Sequence, residues 1–342
     1  MKITVVIAFR GDPALLRWAL EGFARQQLAS PVQVTVAVGG DGQDLPALPP
    51  DTAQVRFAGH RFERMGAAAV RNELARLHPA DVLIFGNADA RPEEAMVRTH
   101  VERLASLPPR HMVLGAAPWD VPASPTIFDA LLAETPMVFF YSKLRPGERY
   151  DFRHAWTLNL SVRYDDFIAA GGFNAQLRPV YYEDLAMGLR VCGPTGKNIL
   201  YEPAAKVLHR HPTTLEQYLN REELLGLMAP VLFKHEPQAF AAIFGDATAD
   251  ALGAEFRHWV TLDTPMHRFA FERLTAWAKK PAQVLPTDAA ARDELLMTIY
   301  QMHVPLKRLA FRLGFLRGLE LLDPADWAAR TPAGLWRKVL GV

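Results

Sequence analysis

Cysteine is nearly absent from this sequence, which contains a single one, Cys192, in 342 residues. An intramolecular disulfide and a cysteine-rich zinc site are therefore excluded. No run of about 18 apolar residues occurs, so we expect no transmembrane helix. The apolar stretch at the N-terminus is too short for a signal peptide and instead predicts a strand. Together these absences favour a cytoplasmic protein.

Excess charge of either sign is also lacking. Lys and Arg together number 38 against 37 for Asp and Glu, a formal net charge of +1. This balance argues against a protein that binds nucleic acid through its global charge. Apolar residues make up 50% of the chain, which is ordinary for a globular protein, and the length suggests about two domains.

The first third of the chain alternates between strand and helix patterns. A continuous apolar run predicts a buried strand at 3–8, and further strands are predicted at 32–38, 81–85 and 111–116. Helical spacing of apolar residues lies between them, including a predicted helix over 92–104. Such alternation with short connections is typical of a mainly parallel, Rossmann-like sheet flanked by helices. We therefore predict an α/β fold.

Beyond Pro212 the pattern becomes almost entirely helical, starting at a capping box formed by Thr214 and Gln217. We predict a sheet-containing domain at 1–212 and a helical region at 213–342. Within the helical region, 307–317 is basic and apolar at helical spacing. This segment suits either a membrane surface or a buried amphipathic helix, and we favour burial. Peripheral contact with the inner membrane surface and a homodimer remain open.

Polar residues follow two of the predicted strands. Asp41 lies in a glycine-rich loop after the second strand, and Asn87, Ala88 and Asp89 follow the third. In parallel α/β sheets, ligands bind beyond the carboxyl ends of strands. A simple turn explains either segment equally well. If both are functional, they predict a nucleotide contact at Asp41 and a cation with its diphosphate near Asp89.

Two later segments carry groups suited to catalysis. Glu183 and Asp184 open a predicted helix, where acidic residues either cap the helix or supply a general base. His209 and His211 are two residues apart on a predicted strand and therefore share a face. One of these imidazoles could complete a cation site, although histidine pairs are more often structural.

The order of these segments is more specific than any one of them. The matching segments are the strand at 4–10 with its helix up to Gln26 or Gln27, then 36–44, 66–72, 83–92, 157–161, 171–174, 183–184 and 207–209, and finally Arg221 and Gly226. In this order they resemble the family 2 glycosyltransferases. These are inverting enzymes of the GT-A fold that use nucleotide-diphospho-sugars. The resemblance covers about residues 2–226 and implies a GT-A catalytic domain.

The resemblance implies a role for each matching residue. Asp184 is the expected general base and Glu183 a positioning group. Mn²⁺ or Mg²⁺ is the expected cofactor, held by Asp89 with His209 as the preferred histidine. Trp156, Asn159 and Gly172 are expected on the acceptor side. The donor, with a UDP-sugar favoured, is expected to contact Ala8, Phe9, Arg10, Asp41, Arg71, Asn87, Ala88 and Asp89. The acceptor is expected to be a hydroxyl of a glycan or lipid-linked molecule, as in polysaccharide biosynthesis.

Two positions depart from the family pattern. Asn87 stands where the first aspartate of the Asp-x-Asp site is usual, and Gly40 replaces one aspartate of the base-binding loop. These losses also suit a non-catalytic sugar-nucleotide-binding or scaffold protein on the same fold. A nucleotidyltransferase is a weaker alternative, because the loop after the first strand has one glycine, Gly11, instead of several.

Overall fold

The computed structural model describes residues 1–28, 32–262 and 264–342. These residues form two compact units. The first unit combines Met1–Asp120 with Leu144–His211, and the second combines Val121–Lys143 with Pro212–Val342. The second unit thus includes a segment of about 20 residues from the middle of the chain, which the predicted boundary at residue 212 had placed with the sheet.

The first unit consists of a central sheet and its flanking helices. Its strands are β1 Lys2–Phe9, β2 Gln33–Asp41, β3 Val55–Phe62, β4 Val82–Asn87, β5 Ala90–Pro92, β6 Met112–Gly115, β7 Arg149–Tyr150, β8 Asn159–Arg163, β9 Ile199–Glu202 and β10 Val207–His209. Its α-helices are α1 Pro13–Phe23, α2 Ala67–Leu77, α3 Met96–Ala105, α5 Tyr164–Ala169 and α6 Glu183–Cys192, and a 3-10 turn spans Phe152–His154.

The main sheet has eight strands in the order β3-β2-β1-β4-β8-β6-β9-β7. The first four run parallel, as do β6 and β9, whereas β8 is antiparallel to both of its neighbours. The apolar strands β1 and β4 lie inside the sheet and are buried almost throughout, as their composition predicts. The α/β class with a mostly parallel sheet is confirmed.

Three strands of this unit, β3, β5 and β7, escaped the sequence prediction. Strand β3 at the sheet edge mixes polar and apolar residues and is only partly buried, so its pattern is weak. The predicted helix over 92–104 is wrong at its start. There, Ala90–Pro92 is strand β5, which pairs antiparallel with β10 in a separate two-stranded sheet, and the helix begins only at Met96. A pairing partner more than 100 residues away decides this local structure.

The second unit is helical. It contains α4 Ile127–Glu134, α7 Leu215–His235, α8 Pro237–Phe244, α9 Ala249–Leu262, α10 Thr264–Ala278, α11 Ala289–Gly318 and α12 Leu335–Leu340, with 3-10 turns at Tyr141–Lys143, Ala282–Val284 and Pro324–Ala329. The predicted capping box at Thr214 and Gln217 is present at the start of α7. Among the described residues, no helix is long and apolar enough to cross a membrane.

Helices α7 and α11 pack closely, and three glycines make this contact possible. A Cβ atom at Gly226 would lie 1.9 Å from the Phe311 carbonyl oxygen, and one at Gly314 would lie 1.8 Å from that of Glu223. Gly318 is equally constrained by Leu227. The basic and apolar segment 307–317 lies in α11, where Leu309, Ala310 and Phe315 are buried among others. This burial agrees with the favoured interpretation of the segment as an amphipathic helix.

Candidate functional site

The carboxyl ends of three neighbouring parallel strands bring the predicted donor-binding residues to one edge. In the sheet register, Ala8 of β1 lies between Gly39 of β2 and Asn87 of β4. Phe9 next to it is buried, and Arg10 is exposed. The same edge carries Asp41, Ala88 and Asp89. Because ligands of parallel α/β sheets bind beyond such strand ends, this edge is the candidate site.

A carboxylate and two imidazoles meet just beyond β4. The Nδ1 atom of His211 lies 2.7 Å from Oδ2 of Asp89, and Nε2 of His209 lies 3.6 Å from the same oxygen. One ligand atom from each of the three residues falls within 4.8 Å of the other two. The pairing of β5 with β10 places Ala90 opposite His209, which brings the histidine strand beside Asp89.

Electrostatics keep Asp89 charged. Burial alone would raise its pKa, but hydrogen bonds from His209 and His211 and their charges outweigh burial and hold the pKa well below its usual range. The second carboxylate oxygen, Oδ1, is buried and accepts no hydrogen bond from any described residue. A buried oxygen of this kind is costly unless a ligand satisfies it. Asp89, His209 and His211 therefore fit a divalent cation.

Backbone contacts and one aromatic ring hold this cluster in place. The amide of Arg210 donates to the Asp89 carbonyl at 2.8 Å, and the Asp120 amide donates to the His209 carbonyl at 2.8 Å. The indole of Trp119 packs on the His209 ring with 4.6 Å between centroids. Such outer contacts fix the orientation of ligating imidazoles.

The second acidic group opens α6. The two residues before it, Tyr181 and Tyr182, have φ values of 84° and 67°, a left-handed conformation that non-glycine residues rarely adopt. Strain of this kind costs about 1–3 kcal/mol per residue and clusters at functional sites. Burial and, to a lesser extent, the adjacent Glu183 carboxylate raise the pKa of Asp184 to about 7, against the opposing charge of Arg71. Asp184 can therefore accept or hold a proton near neutral pH.

Arg71 of α2 connects the two acidic regions. Its Nη1 donates to Oε1 of Glu183 at 3.0 Å and its Nη2 to Oδ1 of Asn87 at 3.3 Å. Arg71 and Glu183 are both buried. Glu183 Oε2 is buried and has no hydrogen-bond partner among the described residues. Asn87 thus accepts this hydrogen bond through a neutral amide oxygen.

Asp41 ends β2 and is buried, as a base-binding carboxylate in a cleft would be. Its Oδ1 accepts the amides of Met65 at 2.6 Å and Gly66 at 3.0 Å, which ties the loop before α2 to the strand end. A Cβ atom at Gly40 would lie 2.1 Å from the Gln43 carbonyl oxygen. The loop therefore excludes the aspartate expected there, and Gly40 follows from the backbone path.

Asn159, predicted on the acceptor side, lies in the core of strand β8. Its Nδ2 donates to the carbonyls of Ala116 and Ala205 at 3.0 and 2.7 Å. Its Oδ1 lies 2.8 Å from Nε2 of His100. Both amide protons are thus used inside the unit, and an acceptor role for Asn159 stays a prediction.

The other two predicted acceptor residues occupy separate positions. Trp156 is buried with its ring 5.3 Å from that of His154. Gly172 has φ of 66°, and a Cβ atom there would lie 2.8 Å from Oδ1 of Asn72. Asn72 both donates to and accepts from the Phe173 backbone, so Gly172 is needed for this turn to close on α2. An acceptor role for Trp156 or Gly172 stays a prediction.

Sequence reasoning missed two contributors to the cluster. His211 was set aside in favour of His209, yet the structure brings both to the same Asp89 oxygen. Their shared face on an extended segment was the available signal for including both. The contact of Trp119 with His209 spans 90 residues, and no local pattern indicates it.

Comparisons place this arrangement among known folds. No known protein family matches the sequence, and no curated protein does. Among solved structures, the mannosyltransferase PcManGT from Pyrobaculum calidifontis, in complex with GDP-Man and Mn²⁺, has a TM-score of 0.51 at 14% identity, over 94% of this chain and 86% of that one. S. aureus TarS 1-349 has a TM-score of 0.45 at 11% identity, and the match covers 92% of this chain and 90% of TarS 1-349.

A third neighbour is GalNAc-T7 with UDP, GalNAc and Mn²⁺, at a TM-score of 0.43 and 12% identity. This match covers 70% of this chain and 51% of GalNAc-T7. PcManGT is a mannosyltransferase by name, and at 14% identity the likeness of this chain to it shows the fold alone. The predicted fold, a GT-A sheet flanked by helices with a C-terminal helical region, is confirmed. Membership of family 2 and inversion stay predictions.

Proposed function

We propose that this protein transfers a sugar from a nucleotide-diphospho-sugar to an acceptor hydroxyl, with inversion at the anomeric carbon. The observation that carries the proposal is the cluster of Asp89, His209 and His211 at the carboxyl edge of a GT-A sheet. Arg71 connects this edge to the acidic start of α6 through Asn87 and Glu183. Arg71 thus contacts Asn87, two residues before Asp89, and Glu183, the residue before the candidate base Asp184.

Asp89, His209 and His211 would hold Mn²⁺ or Mg²⁺. When bound, the cation supplies positive charge against the diphosphate leaving group. The donor set favours Mn²⁺, because imidazole nitrogen suits transition metals whereas Mg²⁺ prefers oxygen ligands throughout. The buried, unbonded Oδ1 of Asp89 supports this assignment independently of the comparisons.

Asp184 is the proposed general base. Its raised pKa lets it take a proton from the acceptor hydroxyl near neutral pH, as that oxygen forms its bond to the sugar. Glu183 and Arg71 are the proposed positioning groups. The charge of Glu183 raises the pKa of Asp184, and the charge of Arg71 lowers it. Asp41 is proposed to meet the nucleotide base through Oδ2, since its Oδ1 is committed to the loop backbone.

The two departures from the family pattern are compatible with the proposed catalysis. Gly40 is required by the close approach of Gln43, and Asn87 accepts a hydrogen bond from Arg71. Gly40 therefore has a steric reason, and the Asn87 side chain has a defined partner in Arg71. The acceptor is proposed to be a glycan or a lipid-linked molecule, and a cytoplasmic location and a homodimer are proposals on the same footing.

A thermal-shift screen of UDP-, GDP- and dTDP-sugars, each with and without Mn²⁺, tests the proposal. A ligand at about 100 times its Kd stabilises the folded state by about 2.7 kcal/mol, which a melting curve resolves. We expect a UDP-sugar to stabilise the protein only when Mn²⁺ is present. The GDP-Man bound to PcManGT makes GDP-sugars the first alternative. If no nucleotide-sugar shifts the melting curve, with or without Mn²⁺, the proposal is wrong.

A further inference from the structure

Large apolar side chains are exposed on two consecutive helices of the second unit. On α9, Trp259 and Leu262 are 39% and 58% exposed, and on α10, Met266 and Phe269 are 61% and 63% exposed. The opposite face of α10 is buried against the unit at His267, Ala270, Leu274 and Ala278. Helix α10 thus has an inner apolar face and a second apolar face directed to solvent. Exposed apolar patches commonly mark interaction surfaces.

These residues follow a helical repeat. The positions 259, 262, 266, 269, 273, 277 and 280 are separated by steps of three and four residues, which place side chains on one face of a helix. Residue 263 lies outside the described residues, so the repeat across α9 and α10 rests on the sequence. We call these seven residues the aromatic–basic stripe.

Each aromatic ring of the aromatic–basic stripe has a cation beside it. The Arg312 guanidinium lies 5.5 Å from the Trp259 ring, and that of Arg273 lies 5.8 Å from the Phe269 ring. The ammonium group of Lys280 lies 3.9 Å from the Trp277 ring. Between residues 255 and 280 the sequence is net basic, with Arg257, Arg268, Arg273, Lys279 and Lys280 against Glu255, Asp263 and Glu272.

We propose that the aromatic–basic stripe binds the surface of a bilayer that contains anionic phospholipids. Apolar side chains of an amphipathic helix enter the boundary between headgroups and acyl chains, and tryptophan favours that depth. Arginine and lysine beside the rings attract the lipid phosphates. A second copy of this chain suits the stripe less well, because two paired helices would bring the Arg273 guanidinium groups together.

This surface differs from the one that the sequence suggested. Segment 307–317 combines basic and apolar residues, but much of its apolar face is buried within the unit. The aromatic–basic stripe instead keeps its apolar side chains exposed. The proposal does not depend on the transferase activity, since it concerns only the helices α9 and α10 and the neighbouring Arg312.

Vesicle flotation of the full-length protein tests the proposal. Vesicles of phosphatidylcholine alone are compared with vesicles that also contain about a third phosphatidylglycerol. We expect binding to the anionic vesicles only, and its loss in about 1 M salt, where the screening length falls to about 3 Å. The double variant Met266→Ser/Phe269→Ser is expected to reduce binding at least about tenfold, because it removes two inserted side chains.

A matched control is Leu77→Ser/Ile168→Ser, which changes two other exposed apolar residues, at 40% and 51% exposure. This control should bind like the wild type, and unchanged circular dichroism would show that all variants fold. Arg273→Gln/Lys280→Gln should remove the preference for anionic vesicles. Absence of binding by the wild type, or equal losses in both double serine variants, would overturn the proposal. So would self-association, measured by light scattering, that the Met266→Ser/Phe269→Ser variant abolishes while vesicles remain unbound.

Discussion

Asp89 and Asp184 are carboxylates of the same unit in opposite electrostatic environments. Asp89 follows β4 and faces His209 and His211, which together hold its pKa well below the usual range despite burial. Asp184 begins α6, where burial and the Glu183 carboxylate raise its pKa to about 7. The two histidines therefore keep the Asp89 carboxylate charged, whereas the surroundings of Asp184 allow its carboxylate to take up a proton near neutral pH.

The comparison shows that the groups around a carboxylate determine the role for which it is suited. A carboxylate that stays ionised at every physiological pH is suited to holding a cation, whereas one that titrates near neutrality is suited to proton transfer. Arg71 belongs to both environments, since it contacts Asn87 near the first and Glu183 beside the second. Changes at these positions should separate cation binding from proton transfer.

The largest effect is expected from Asp184→Asn. Loss of a general base lowers turnover about 10²–10⁴-fold, because the acceptor hydroxyl keeps its proton. Release of the nucleoside diphosphate in the presence of acceptor measures turnover, and calorimetry measures donor binding. We expect donor affinity to stay near that of the wild type. Wild-type turnover in Asp184→Asn would remove this residue from the base role.

The next effect concerns the other carboxylate. Asp89→Asn should weaken Mn²⁺ binding by more than the about 10–100-fold that follows loss of an outer-shell partner, since it removes the one charged ligand. Titration calorimetry with Mn²⁺ alone measures this affinity. Asp151→Asn is a matched control, because Asp151 also faces a histidine, His154, at 3.4 Å. Equal loss of affinity in both variants would contradict a specific cation site at Asp89.

The pH profile tests the link between the two regions. Because the pKa of Asp184 is about 7, kcat/KM should fall below that pH as the carboxylate becomes protonated. Arg71 opposes the rise of this pKa, so Arg71→Met should move the acid limb to higher pH. Arg71→Lys retains the charge and should move it less. A limb that stays in place in Arg71→Met would show that Arg71 does not act through Asp184.

The smallest effect is on stability. The folded-state pKa of Asp184 lies above its unfolded value, so its contribution to stability is full below about pH 4 and is lost as the pH rises through about 7. Asp184→Asn cannot ionise and should melt at a higher temperature than the wild type at pH 8, with a smaller difference at pH 5. Differential scanning calorimetry measures both. The exposed Asp246→Asn should show no such pH-dependent difference.

The sequence was most informative where structure is local. Strand β1 was predicted from its continuous apolar run. The start of α1 is also a local feature, because the side chain of Asp12 accepts the Ala14 amide at 2.8 Å and caps the helix. Edge strand β3 escaped because half-exposed strands carry a weak apolar pattern. The start of α3 was misplaced because β5 exists only through its pairing with β10.

In the candidate site, too, the residue types are local features of the sequence, whereas the contacts between them depend on distant segments. Its chemical groups were recognisable one by one, and their order along the chain indicated a GT-A domain. The pairing of Asp89 with His211, which are 122 residues apart, depends on the register between β5 and β10. The buried contact of Arg71 with Glu183 spans 112 residues and depends on how α2 and α6 meet.

Sequence alone determined the α/β class and the helical C-terminal region and supplied the candidate site residues, since apolar periodicity and side-chain type are properties of short segments. Only the tertiary structure decided that two histidines face one carboxylate, that Gly40 has no room for a side chain, and that the exposed apolar face lies on α9 and α10. Each of these depends on burial and on distances between distant segments. Those quantities set pKa values and steric limits, and they exist only once the chain has folded.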